Sequence, residues 1–374
     1  MNTKKMTVFG FTDIHNQQAM LDFPTTLRKS ARIAAADAEA EFGKAALTLI
    51  GGDNVSDYPY WNRSCWLPKK NFLDIKEKMV RCFADCTEKE RVLYVAGNND
   101  MILGDIGTEG NQPYNTTEFY YTGPMKDTLG VLPDSECYTV RSAEKPWEHP
   151  YLNAFHYVVD GVDFVGISVD PNTAFNSHEG YYTNETLDWV ERKLREIDPD
   201  GVKPVFVVGH LSALYCHAGS WGETMKNGDS DRFYRALSGH KNLFYLYGHL
   251  HGEGYVYREY SSGAVVHLDG HFQPLSPNLA SDDSAQAGEF AMTLVHMGGL
   301  RPFGACYFEQ DGLSGYGGES EKQYYPITAT PTLAQYMVFE LYEDRVVFYI
   351  RNAGSMEGYS RSDLPRPYTV FLQK

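Results

Sequence analysis

Apolar runs of four to six residues, rich in β-branched and aromatic side chains, recur along the chain at Thr7–Phe11, Ala46–Ile50, Arg91–Ala96, Phe164–Val169, Val205–Val208 and Leu243–Tyr247. Runs of this length and makeup predict buried strands. Between the early ones, Leu27, Ala31, Ala34, Ala35, Ala38 and Phe42 recur at helical spacing before Gly43, which predicts an amphipathic helix over Leu27–Phe42. A second helix is expected from about Phe72 to Cys86, and a third from Asn184 to Ile197, capped by Thr183 and closed near Pro199-Asp200-Gly201. Tyr157–Asp163 reads as a hairpin turning at Asp160-Gly161. Downstream, short strands are expected at Gly254–Tyr257 and Ala264–Leu268. The chain then closes on a hairpin, Tyr336–Tyr342 and Arg345–Arg351, joined at Glu343-Asp344. Two stretches, 101–150 and 271–325, show no periodicity and are crowded with Gly, Pro, Ser, Asn and Tyr. Excursions of that length inside a compact domain are usually functional loops. Alternating strands and helices without an internal repeat predict one α/β domain over residues 1–374.

The polar residues that follow the strands carry the candidate chemistry. Five strand ends run into metal-ligand residue types: Val8-Phe-Gly-Phe-Thr-Asp-Ile-His15, Leu47-Thr-Leu-Ile-Gly-Gly-Asp53-Asn54, Val92-Leu-Tyr-Val-Ala-Gly-Asn98-Asn-Asp100, Val205-Phe-Val-Val-Gly-His210 and Tyr247-Gly-His-Leu-His-Gly252. Taken singly, each has an ordinary reading. Asp13 serves equally as a helix N-cap, and two histidines one residue apart are surface or core residues in roughly half of cases. Asp53 follows Gly51-Gly52, where a residue without Cβ lets the backbone turn and approach an ion closely. In open α/β sheets ligands gather outside the carboxyl ends of the strands, so five such ends can converge on one place.

As an ordered set, D-x-H, G-D, G-N-x-D, an isolated His and G-H-x-H, these blocks resemble the calcineurin-like metallophosphoesterases. Phe164–Asp170 and the helix from Thr183 to Leu194 look like the strand and helix that the family places before its isolated His. The resemblance implies a four-layer αββα sandwich of two mixed sheets flanked by helices. It also implies two divalent or trivalent metal ions (Mn, Fe or Zn): Asp13, His15 and His251 on one, Asn98, His210 and His249 on the other, and Asp53 bridging. Two such cations about 3.5–4 Å apart hydrolyse a phosphoester through a bridging hydroxide. One position departs from the pattern. The family's third block reads Gly97-Asn98-Asn99-Asp100 here, so Asn99 stands where the family carries a His that assists the leaving group, and Asp100 loses that partner. An amide cannot donate a proton as an acid, which puts at stake a step worth about 10²–10⁴-fold. His178 and His217 are the candidates to stand in, each with a plain alternative as a solvated loop residue. The resemblance implies an enzyme acting on a small phosphomonoester or phosphodiester; Asn99 motivates the alternative of a metal-binding scaffold with weakened catalysis.

Composition narrows the partners. A formal charge of −16, from 49 acidic and 33 basic residues, disfavours a nucleic-acid polymer, whose binding rests on Lys and Arg neutralising phosphates. No apolar stretch approaches the about 18–20 residues needed to span a bilayer, and no signal peptide is expected before the first strand. The six cysteines lack paired zinc spacing, as free thiols in a reducing cytoplasm do. The aromatics Tyr58, Tyr60, Trp61 and Trp66 line a substrate rim or, on the ordinary reading of such residues, pack a long loop. Tyr-rich residues near 114–121 and the Cys216–Trp221 loop suggest a narrow pocket for small molecules.

Overall fold

The computed structural model describes residues 3–14, 29–53, 78–97, 136–140, 151–170, 182–211, 229–249, 255–260, 265–267, 290–300, 334–353 and 367–374. In chain order the elements are β1 (Lys4–Phe11), α1 (Lys29–Phe42), β2 (Leu47–Ile50), β3 (Val92–Tyr94), β4 (Glu136–Val140), β5 (Tyr151–Val159), β6 (Val162–Ile167), α2 (Asn184–Ile197), β7 (Val205–Val208), α3 (Asp229–Leu237), β8 (Leu243–Tyr247), β9 (Tyr255–Tyr260), β10 (Val265–His267), β11 (Phe290–His296), β12 (Gln335–Tyr342), β13 (Arg345–Asn352) and β14 (Tyr368–Phe371). A further helical segment occupies 78–84.

The strands form two mixed sheets, one ordered β14-β13-β12-β1-β2-β3 and the other β10-β9-β11-β8-β7-β6-β5-β4. In the first, β1, β2 and β3 run parallel while β12 pairs antiparallel to β1. In the second, β6, β7, β8 and β11 run parallel. The runs that read as continuously apolar are buried on both faces, as strands covered on both sides must be. Between the sheets lies an aromatic seam. Phe206 of β7 stacks on Phe339 of β12 with ring centroids 4.5 Å apart, and Phe244 of β8 meets Phe348 of β13 at 5.6 Å. Phe206–Phe244 at 5.1 Å and Phe339–Phe348 at 5.7 Å close the square.

Helices cover the outer faces. On the first sheet, Arg351 of β13 grips Glu41 of α1 through two 2.9 Å hydrogen bonds, and Phe83 of the 78–84 segment stacks on Phe11 at 4.3 Å. On the second, α2 packs against α3 and β5, and Phe233 of α3 meets Tyr245 of β8 at 4.7 Å. The fold is therefore the four-layer αββα sandwich of two mixed sheets. Thr183 caps α2 as its sequence predicts, its hydroxyl accepting from the Thr186 amide. The 157–163 hairpin turns at Asp160 (φ 48) and Gly161 (φ 82), the paired left-handed residues of a tight turn whose twist matches its strands.

The two stretches expected to be irregular are corrected in part: β4 falls inside 101–150 and β11 inside 271–325. Neither announces itself locally. β4 is an edge strand of mixed polarity, and β11 is defined by its neighbours, parallel to β8 and antiparallel to β9. Tertiary pairing overrides weak local preference at such places. α3 and β14 are also absent from the sequence expectation. The first buries few apolar residues, among them Phe233, Ala236 and Leu237, and the second is a four-residue edge. Among the described residues no helix is long and apolar enough to cross a membrane.

The aromatic seam gives a direct test of the sandwich. Phe206→Ala empties the middle of the seam and is expected to destabilise the protein by about 3–5 kcal/mol, read as a fall in urea midpoint with the slope unchanged.

Candidate metal centre

Parallel strands all present their carboxyl ends on one side, and here the two sheets present them to each other. The contacts that close this end run between sheets: the Val169 amide donates to the Ala96 carbonyl at 3.0 Å, the Leu300 amide to the Thr12 carbonyl at 3.1 Å, and the His249 amide to Asp13 Oδ2 at 2.9 Å. Within this closure four predicted residues come together: Asp13 after β1, Asp53 after β2, His210 after β7 and His249 after β8.

Each is held by backbone as much as by side chain. The Asp13 amide donates to the Gly52 carbonyl at 3.0 Å, and its Oδ2 receives the Thr12 hydroxyl at 2.9 Å. His210 is fully buried, with Nδ1 2.8 Å from the Gly51 carbonyl. A carbonyl only accepts, so Nδ1 carries a hydrogen and Nε2 is the atom that faces the centre. That Nε2 lies 3.2 Å from Asp53 Oδ2 and 3.3 Å from His249 Nδ1. The donor atoms of Asp53, His210 and His249 all fall within 4.8 Å of one another. Asp13, Asp53 and His249 have φ of 49°, 51° and 72°. Three of the five described non-glycine residues with positive φ are thus at this one point. Left-handed backbone costs about 1–3 kcal/mol per residue and persists where the surroundings impose it, typically at functional sites.

Charge at the centre is unbalanced by the chain alone. Burial pushes the Asp13 carboxyl up to about 7, against the pull of His210 and with the nearby Asp53 charge adding to the rise. Burial would press His210 down, yet the charge and hydrogen bond of Asp53 outweigh it and lift the imidazole to about 9. The Asp53 carboxylate thus favours positive charge at the place where Nε2 faces the centre. Two carboxylates and two imidazoles form the mixed oxygen and nitrogen set that suits Mn, Fe or Zn. These residues fit a divalent metal.

His15, Asn98, Asn99, Asp100, His178, His217 and His251 lie outside the described residues, as do the aromatics at 58–66, the Tyr-rich stretch near 114–121 and the 216–221 loop. Sequence reading missed three residues around the centre. The single Thr12 hydroxyl hydrogen is shared between Asp13 Oδ2 and the Gly51 carbonyl, the latter at 3.0 Å. Tyr182 and Tyr245 bond the backbone of His210 and Leu211. Thr12 could have been found as a hydroxyl between a strand and a candidate ligand, whereas Tyr182, just before a helix cap, offers no such signal.

Two sets of parallel strands thus aim at one cation-sized cluster of carboxylates and imidazoles. The family model for calcineurin-like phosphoesterases matches residues 6–253, and the chain belongs to that family, which uses divalent metals. No curated protein sequence matches. Among solved structures, the chain is similar to a dimetal phosphatase from Danio rerio at 12% identity and a TM-score of 0.53, with 99% of this chain and 100% of that one covered. At that identity the likeness is one of fold. A phosphatase from Mycoplasma pneumoniae matches at 8% identity over 100% of this chain and 94% of its own, with a TM-score of 0.39. An NAD nucleotidase from Haemophilus influenzae matches at 10% identity and a TM-score of 0.36, covering 99% of this chain and 49% of that one.

Gly52 supplies a test of the geometry. Its φ is +93°, and a Cβ there would sit 2.7 Å from both the Gly97 amide nitrogen and the His210 ring. Gly52→Ala is expected to displace His210 and weaken Mn²⁺ or Zn²⁺ binding about 10–100-fold, measured by titration calorimetry.

Proposed function

We propose that the chain, read as a single domain over residues 1–374, is a two-metal phosphoesterase of the cytoplasm acting on a small phosphomonoester or phosphodiester. The observation that carries this reading is the meeting of Asp13, Asp53, His210 and His249 at the facing strand ends. The order of the sequence motifs adds His15, Asn98 and His251, which fall within the matched residues 6–253. Asp13, His15 and His251 would hold one cation, Asn98, His210 and His249 the other, and Asp53 would bridge. When bound, two cations supply Lewis-acid polarisation of the phosphoryl oxygens and a water acidic enough to attack at neutral pH. The Gly51 carbonyl keeps the His210 ring turned so that Nε2 faces the centre, where it would hold a cation. The His249 amide and the Thr12 hydroxyl orient the Asp13 carboxylate through the same oxygen, Oδ2.

A small substrate is supported by the overall charge of −16, which repels a polyanion, and by the aromatic residues of 114–121 and 216–221. The scatter of the six cysteines without paired spacing supports a reducing compartment; Cys82 and Cys86 are free thiols, pushed up to about 11 and 12 chiefly by burial. One observation favours a second reading, a metal-binding scaffold with weakened catalysis: Asn99 stands where the family's acid would be.

Asp53→Asn is expected to abolish hydrolysis while the far-ultraviolet spectrum stays close to wild type, because the residue lies beyond the end of β2 and outside the hydrophobic core. Metal analysis after Mn²⁺ loading should give two ions per chain; a lower plateau removes the bimetal assignment. The leaving group separates the two readings. Without an acid at Asn99, wild type should hydrolyse p-nitrophenyl esters appreciably and alkyl esters poorly, and Asn99→His should help alkyl esters most. The measurement is kcat/KM against leaving-group pKa. A wild type as flat as the variant turns attention to His178→Ala and His217→Ala, and one inactive on every ester favours the scaffold.

A further inference from the structure

His210 reaches the centre from a strand end that a pair of tyrosines fastens from behind. The Tyr182 hydroxyl accepts two backbone hydrogen bonds, from the His210 amide at 2.9 Å and from the Leu211 amide at 3.1 Å. Tyr245 donates its own hydroxyl hydrogen to the Leu211 carbonyl. The two phenol oxygens are 3.0 Å apart. A phenol has one hydrogen to give. Since Tyr245 spends its hydrogen on Leu211, the bond between the rings must run from Tyr182 to Tyr245, and the polarity of the whole circuit is fixed: amides to Tyr182, Tyr182 to Tyr245, Tyr245 to Leu211.

The circuit is built into the fold. Tyr182 and Tyr245 are fully buried, one just before α2 and the other within β8, and Phe233 of α3 packs on both at 6.0 and 4.7 Å. Gly209 lies beneath the hydroxyls, and a Cβ added there would collide with both. On its other side His210 is equally restrained, its carbonyl accepting from the Gly248 amide at 3.1 Å and its Nδ1 engaging Gly51. The imidazole therefore has its amide, its carbonyl and its ring held from three different elements.

We propose that Tyr182, backed by Tyr245, is a positioning residue for metal binding: its hydroxyl sets the His210–Leu211 backbone so that Nε2 is presented to the cation before the cation arrives. The inference rests on the reading of His210 as a ligand. A bound ion then meets a ligand already oriented, and loss of the hydroxyl costs affinity rather than the chemical step. Tyr182→Phe keeps the ring and its packing and deletes only the acceptor for two amides.

The test is the Mn²⁺ dissociation constant of the purified chain, measured by calorimetry at a temperature where circular dichroism shows every variant folded. Tyr182→Phe should raise it about 10–100-fold, the range for groups that orient metal ligands. Its activity should return towards wild type at high Mn²⁺, whereas His210→Ala should not recover. Phe348→Leu, in the seam between the sheets, serves as a control that lowers the melting temperature without touching the centre, and its dissociation constant should match wild type. A Tyr182→Phe protein that melts earlier but binds Mn²⁺ like wild type overturns the proposal, since that is the behaviour of a structural residue. Should Tyr182→Phe not fold, Tyr245→Phe decides: a smaller but clear rise supports the circuit, and an unchanged constant refutes it. If His210→Ala binds Mn²⁺ as wild type does, the ligand assignment fails and this inference with it. If His210→Ala loses the metal while both tyrosine variants keep it, the assignment stands and only the positioning role falls.

Discussion

The hydrogen bond from His210 Nδ1 to the Gly51 carbonyl joins the two sheets at the point where both deliver their candidate ligands. Gly51 follows β2 of the first sheet and His210 follows β7 of the second, so one 2.8 Å contact sets the spacing of the halves and the tautomer of the ring together. Everything nearby is arranged around it. Thr12 bonds the same carbonyl and the Asp13 carboxylate, Gly52 turns sharply enough to let the His210 ring pass, and the tyrosines secure the backbone behind. The surrounding sandwich can be understood as the support that keeps this contact short, with the phenylalanine seam setting how far apart the sheets stand.

Much of that support was legible in the chain. Strands covered on both faces leave a clear mark, a mostly apolar run, unbroken in β7 and β8 and interrupted by a single buried Thr in β1 and β2. The candidate positions Asp13, Asp53, His210 and His249 were legible for a related reason, since each follows within three residues of such a run, where the backbone leaves the sheet. What stayed hidden depends on contacts remote in sequence. β11 has its place because β8 and β9 flank it, and β4 because β5 borders it. Tyr182 is another case. Its partners are 28 and 29 residues ahead, and only the packing of α2 and α3 over β8 brings them within reach.

The left-handed residues at the centre show how the fold divides its stability. Asp13, Asp53 and His249 would relax to ordinary backbone if they were free to do so, and they are also among the most buried or restrained polar groups described. Two nearby carboxylates and a lifted imidazole add electrostatic tension that the chain does not resolve by itself. The sandwich core offsets that local cost, and a cation at the centre would relieve part of it, so occupancy and overall stability are coupled.

The place of β1 in the first sheet bears on how the protein is made. It is an inner strand, parallel to β2 on one side and antiparallel to β12 on the other, and its Lys4 bonds Glu340 of β12 across a separation of 336 residues. A ribosome at about 5–20 residues per second releases the first strand long before its second neighbour. Until β12 emerges, one flank of β1 offers open amides and carbonyls to any passing strand. Contacts so distant along the chain also make for slow folding. The nascent polypeptide therefore has a window in which Val8, Phe9 and Phe11 lack their eventual cover, and chaperone binding or low crowding at the exit tunnel would decide how much of it reaches the finished sandwich.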